Sequence, residues 1–238
     1  MNSVEACGSV TALTLGLPST TSVPGGKGRL PKEGFYHNMQ VNARLKRRFI
    51  DETESFVMLA QIDARSTGIP AGETVTKIYV LGIEARTDEP DTVLIEQIAR
   101  YFDEQSTHRA RILFAWVRGD ACTPAVFRNA SAHEGLMEGT VYAGDVRSAT
   151  GIPLRLHGAD LDAVWDTLCA QIILDSDNAT NLDRRIVAKH RLVELDKEIA
   201  RLTKAHAKAT QIAKRNDLWN RLQIARSKRK TVERDMLT

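Results

Sequence analysis

The chain has 238 residues, 42% hydrophobic and 26% charged, which is enough for one sizeable domain and an appendage. No apolar run approaches the length of a membrane span, and the N-terminal stretch lacks the basic leader of a secretory signal, so the expected location is the cytoplasm. The net charge of +3 hides an asymmetry: from Asp183 onward sixteen Lys and Arg face seven Asp and Glu, which leaves the rest of the chain acidic and suggests two modules with different tasks.

The first thirty residues are rich in Gly, Ser, Thr and Pro and read as an irregular, flexible, basic arm. A helix is expected next. In "VNARLKRRFIDETESFVMLAQID", Leu45, Phe49, Phe56, Leu59 and Ile62 fall near one face, with Asn42 as the cap. Arg44, Lys46, Arg47 and Arg48 crowd its first turns, the wrong end for the helix dipole, so these charges answer to something outside the helix. Thr74 to Ala85 reads as a strand buried on both faces. An amphipathic helix follows, with Val93, Ile95, Ile98 and Phe102 as its apolar set and Asp91 as its cap. "RARILFAWVRGDACTPAVFRN" gives two strands around Gly119-Asp120, and "EGLMEGTVYAGDV" gives another. A helix capped by Asp160 then carries Leu161, Val164, Trp165, Leu168 and Ile172 on one face.

Beyond the polar linker "LDSDNATNLD", Arg184 to Met236 contains no Pro and no Gly. Leu192, Leu195, Ile199 and Leu202 form one helical seam, and Leu218, Leu222, Ala225, Val232 and Met236 form a second. The two do not share a register. An antiparallel hairpin lets each seam bury against the other; a stutter in one long helix is the alternative. The fold class is therefore α/β (α+β): a mixed β-sheet with flanking helices, followed by a basic C-terminal helical hairpin or coiled coil. The expected organisation is an arm over 1–30, an α/β domain over 31–175 and the basic segment over 183–238.

The run Gly25-Gly26-Lys27-Gly28 invites a phosphate-loop reading, which fails. No Ser or Thr follows the lysine, Pro24 breaks a leading strand, and Pro31 stands where a helix should run. A metal-dependent nuclease site needs clustered carboxylates and a lysine. Glu84 with Asp88 or Asp91 supplies the acids, but the lysine position holds Arg86, which cannot act as a base. The histidines show no metal-ligand spacing, and no cofactor motif is present, so neither a metal nor a cofactor is expected. The three cysteines, Cys7, Cys122 and Cys169, are odd in number and far apart, which speaks for reduced thiols; Cys169 reads as a small core residue. The stronger clue is basic. Lys208, Lys214, Arg215, Arg221, Arg226, Lys228, Arg229 and Lys230 crowd one region with Asp217 as the only acid. Phosphate contact or an acidic partner surface would account for the excess. Trp219 could stack on a base, although its position favours the hairpin seam.

The stretches "LPSTTSV", "RLPKEGFYHN", "ARLKRRFIDE", "IYVLGIEAR", "RILFAWV" and "LDAVWDTLCAQI", followed by the charged helical segment, come in an order that resembles a bacterial family, domain-of-unknown-function family 4391. The likeness runs from about Leu17 to the C-terminus, and its most specific part is the "LPK…FY…N…LKR.F" run. The family offers no established catalytic residues. It implies a context instead: small partners encoded beside large helicases and methyltransferases in restriction-like loci that defend bacteria against phage. The expected function is thus a non-catalytic accessory subunit that docks to such a helicase or methyltransferase. Its DNA contacts would come from Arg44, Arg47, Arg48, Lys214, Arg215, Arg221, Arg226, Lys228, Arg229 and Lys230. A nuclease, and a protein that self-associates through its C-terminal helices, are the alternatives.

Overall fold

The computed structural model describes residues 3–39, 41–105, 109–128 and 139–237. Within the described residues the chain forms two compact units, one up to Thr180 and one from Asn181 onward.

The first unit begins with a small hairpin, β1 (Ala6–Cys7) and β2 (Val10–Thr11), and reaches β3 (Arg29–Leu30). Helices α1 (Lys32–Asn38) and α2 (Ala43–Glu52) lead to β4 (Thr53–Ile62), a single-turn α3 (Ala64–Thr67) and β5 (Lys77–Ala85). Helix α4 (Thr92–Gln105) crosses to β6 (Ala110–Arg118); β7 (Ala121–Arg128), β8 (Thr140–Ala143), β9 (Arg147–Ser148) and α5 (Leu161–Leu174) complete the unit. The strand expected from Glu134 thus appears as β8, and residues 134–138 of that stretch lie outside the described residues.

The seven-stranded sheet has the order β3-β4-β5-β6-β7-β8, with β9 pairing the start of β7. All neighbours are antiparallel except β5 and β6, which α4 joins as a parallel pair. Gly119, at φ +57°, makes the two-residue β6–β7 turn that pairs Arg118 with Ala121. On one face Ile112, Phe114 and Trp116 meet α1, α2 and α4 through Phe35, Phe49, Leu94, Ile95 and Ile98. Alternation sends Leu113, Ala115 and Val117 to the other face, where α5 contacts β5, β7 and β8.

Two expectations are corrected. The helix predicted through Ile62 stops at Glu52, and the rest is the strand β4. The Phe49 carbonyl accepts from the Thr53 hydroxyl at 2.6 Å and from the Lys32 ammonium at 2.9 Å, so the helix end is satisfied there. A register shift between Met58 and Ala60 then breaks the two-residue alternation of β4. Phe56, Leu59 and Ile62 are therefore all buried at a three-residue spacing that imitates a helix. Phe56 serves the helix-covered face, whereas Leu59 lies beside Gly82 and Cys7.

The N-terminal segment is packed rather than flexible. Cys7, Val10, Ala12, Leu15 and Leu17 are buried. Val23 N donates to Leu59 O and Met58 N to Gly28 O, so the segment extends the sheet beyond β4. The Gly28 amide donates to the Glu5 carboxylate at 2.9 Å, so an amide of the glycine run is held by the chain's own acid. A β-carbon at Gly82 would fall 2.6 Å from Cys7 Cβ, so only glycine lets β1 lie this close over β5.

Candidate nucleic-acid interface

The second unit consists of α6 (Leu182–Lys208) and α7 (Ile212–Leu237), joined by three residues. With no Pro or Gly to interrupt them, both helices run for more than seven turns. They are antiparallel. The rings of His206 and Trp219 lie 5.7 Å apart, and Arg229 Nε donates to Asp196 Oδ1 at 2.6 Å, so a fall of ten on one helix matches a rise of ten on the other. Leu202 meets Leu218, Leu222 and Ala225, with Ile199, Ala205 and Ala209 beside them. Each seam thus buries against the other within the chain.

The cations of α7 divide by partner. Arg229 also donates to Glu233 at 2.9 Å, and these two carboxylates hold its guanidinium pKa above the ordinary value. Arg221 stands 4.0 Å from Asp217. Lys214, Arg215, Arg226, Lys228 and Lys230 are exposed, and none has an acidic partner among the described residues. Along one face the order is Ile212, Arg215, Trp219, Gln223, Arg226 and Lys230, with gaps of three or four residues throughout. Such gaps keep side chains on one helical face, and fifteen residues from Arg215 to Lys230 span about 22 Å. Trp219 does not pack in the seam, as its position had suggested. One residue on from Leu218, it turns about 100° away and stays 46% exposed.

The predicted cations of α2 belong to the first unit and are less uniform. Arg44 and Arg47 are exposed. Arg48 pairs with Asp91 at 2.7 Å, a bond that raises the Arg48 pKa. Asp91 also accepts from Val93 N and Leu94 N and so caps α4. Arg48, past the middle of α2, is thereby a structural clamp between α2 and α4. Lys46 lies over the Tyr36 ring, 5.2 Å from its centroid. A cleft of about 330 Å³ lined by Asn42, Arg44, Arg48, Val93 and Gln97 separates the two helices.

The carboxylates of the nuclease alternative are dispersed among different partners. Glu84 accepts from Ser55 Oγ at 2.7 Å, Asp88 pairs with Arg118 at 2.8 Å, and Asp91 is held as described. Among the described residues no three His, Cys, Asp or Glu side chains are grouped to hold a metal. A second cleft, about 180 Å³ beside β7 and the end of α5, contains Arg147 and Arg155, each paired with an aspartate, Asp175 and Asp177. These arginines are neutralised where Arg215 and Arg226 of α7 are not.

Lys32 is a residue whose task was not visible in the sequence. Its ammonium donates to Phe49 O and to Thr53 O at 2.7 Å, and burial, with the Arg86 charge, lowers its pKa. It therefore closes the end of α2 instead of facing a ligand. Its neighbours Phe35 and Tyr36 join Phe49 and Phe56 in an aromatic cluster with centroid distances of 4.9 to 5.6 Å.

The chain belongs to the family described as Domain of unknown function (DUF4391), whose model matches residues 15–228. That span takes in the aromatic cluster, the sheet and most of the hairpin. No curated protein and no solved structure matches the chain.

Proposed function

We propose that this family member is a non-catalytic accessory protein that binds nucleic acid, with α7 meeting the phosphate backbone. The observation that carries the reading is the row of exposed α7 cations without acidic partners. A helix face that serves only to stay in water mixes signs, because pairs three or four residues apart stabilise it. Five unneutralised cations on 26 residues of helix repel one another unless an anion is present. A phosphate backbone offers regularly spaced anions over the roughly 22 Å the stripe covers. The dispersed carboxylates favour a role without catalysis. The family resemblance supports a place beside a larger helicase or methyltransferase in a bacterial defence assembly. In that setting the first unit docks and the hairpin holds DNA.

The test is fluorescence anisotropy of a labelled duplex and a labelled single strand, each over about 50 to 200 mM salt. The three phosphate contacts of the stripe, to Arg215, Arg226 and Lys230, give a slope of log affinity against log salt of about −2.7 on duplex and about −2.1 on single strand. Reversing Arg215, Arg226 and Lys230 to Glu should abolish most of the binding and flatten the slope. Reversing Arg44 and Arg47 measures any share from α2. Salt-insensitive binding, or none to either nucleic acid, overturns the proposal in favour of an acidic protein partner.

A further inference from the structure

Trp219 is a feature of the α7 stripe that phosphate contact does not explain. A tryptophan beside a leucine seam has an easy place to bury, and burial of so large a ring is strongly favourable. This one faces out among Arg215, Gln223, Arg226 and Lys230, 46% exposed. It is not loose on the surface. The His206 imidazole, from the end of α6, lies 5.7 Å away at a tilt of 44° and braces the indole. Two turns earlier on the same face Ile212 is 79% exposed, a second apolar group in a basic setting. The other two tryptophans, Trp116 and Trp165, are 1% and 4% exposed, as core residues should be.

We propose that Trp219 is a stacking platform for an unpaired base, so that the stripe prefers single-stranded nucleic acid to duplex. This rests on the reading of α7 as a phosphate-binding face and specifies its ligand. In a duplex the flat faces of the bases are covered by their neighbours, and an indole on a helix surface meets only sugar and phosphate. In a single strand a base can turn onto the ring while its phosphates lie along the flanking cations. Arg215 and Arg226, one turn before and two turns after Trp219, stand where the phosphates on either side of that base would run. The contact needs no base edges, so it tolerates any sequence, with a preference for strands that unstack easily.

The test uses the full chain with a thymidine oligonucleotide and a duplex of equal length. Because Trp116 and Trp165 are buried, quenching of tryptophan emission on adding the oligonucleotide reports Trp219, and quenching is expected with the single strand but not with the duplex. Trp219→Ala should lower single-strand affinity about tenfold, within a range of roughly 5- to 150-fold. It should leave duplex affinity within about twofold, while Trp219→Phe keeps most of the single-strand binding. If Trp219→Ala weakens neither or weakens both equally, or if no quenching occurs although charge reversal abolishes binding, stacking is refuted and the phosphate reading stands. If neither nucleic acid binds at all, both readings fail together.

Discussion

Replacing Asp162 with Asn tests how the two faces of the sheet are tied together. Asp162 stands in the first turn of α5, and its carboxylate gathers the loop that enters β5. It accepts from Glu73 N at 2.8 Å, Thr74 N at 3.1 Å, Thr74 Oγ1 at 2.7 Å and Val75 N at 2.7 Å. Asparagine keeps one oxygen acceptor but sets an amino group against the remaining donors: the amides of Glu73 and Thr74 can turn to water, whereas Val75 is buried and its amide must exchange a charged acceptor for a neutral one. The lost charge assistance at a buried amide, with an amino group set against two further donors and a discount for the partial exposure of the carboxylate, costs about 2 kcal/mol in all. For a chain of this size that is a fall in melting temperature of about 4–8 °C. Burial alone would raise the Asp162 pKa, but the Thr74 hydroxyl and the amides of Thr74, Val75 and Glu73 outweigh it and hold the group below its ordinary 3.8. A carboxyl lowered on folding contributes stability that is complete above 3.8 and is lost as pH falls through the folded value. Thermal melts of wild type and Asp162→Asn should therefore differ fully at neutral pH and converge well below 3.8. A gap that persists in acid, or equal melting at neutral pH, would refute the account of this lock.

Gly82→Ala puts a methyl group 2.6 Å from Cys7 Cβ and 3.0 Å from Leu59 Cδ1, both buried. It should cost about 1–3 kcal/mol in a urea titration and speed proteolysis of the N-terminal segment; an unchanged midpoint would mean the segment does not dock there. Asp91→Ala removes the cap of α4 together with its anchor for Arg48, and a loss of about 1–2 kcal/mol is expected, most of which Asp91→Asn should recover. Burial pushes the thiols of Cys7 and Cys122 up to about 12, with Glu84 adding to the effect at Cys7. Native protein at mildly alkaline pH should therefore resist an alkylating reagent that labels these two and the equally buried Cys169 at once in denaturant; prompt labelling without denaturant would contradict their burial.

The division between sequence and structure can be followed residue by residue. Asp91 and Asp160 were legible as caps, because capping needs only a short polar side chain ahead of a helical pattern. Val164, Leu168 and Ile172 were legible as a buried face, and Gly119-Asp120 as a turn, since both signals are local. The mixed α/β class follows from the order of such elements. The unpaired cations of α7 were visible as a local excess of one sign. What local pattern could not supply was anything that depends on a partner distant in the chain. Beyond Phe49 the apolar spacing suits helix and strand alike, and β4 is settled by its pairing with β5 and by the bulge at Met58. The glycine run had already failed as a phosphate loop on local grounds, but its packing was not visible until Glu5, twenty-three residues before Gly28, was seen to hold its amide. Arg48 counted as an exposed charge until the carboxylate of Asp91 was brought to it, and the task of Lys32 emerged only with the carbonyls of Phe49 and Thr53. Trp219 read as seam because adjacent residues share a sequence neighbourhood, yet they stand about 100° apart on a helix. By itself the sequence determined most of the elements outside β4 and the N-terminal segment, several of their caps and the surplus of positive charge, all set by neighbours within one or two turns. Only the tertiary structure decided which charges are neutralised and which remain for a ligand, because that depends on contacts between residues far apart in the chain.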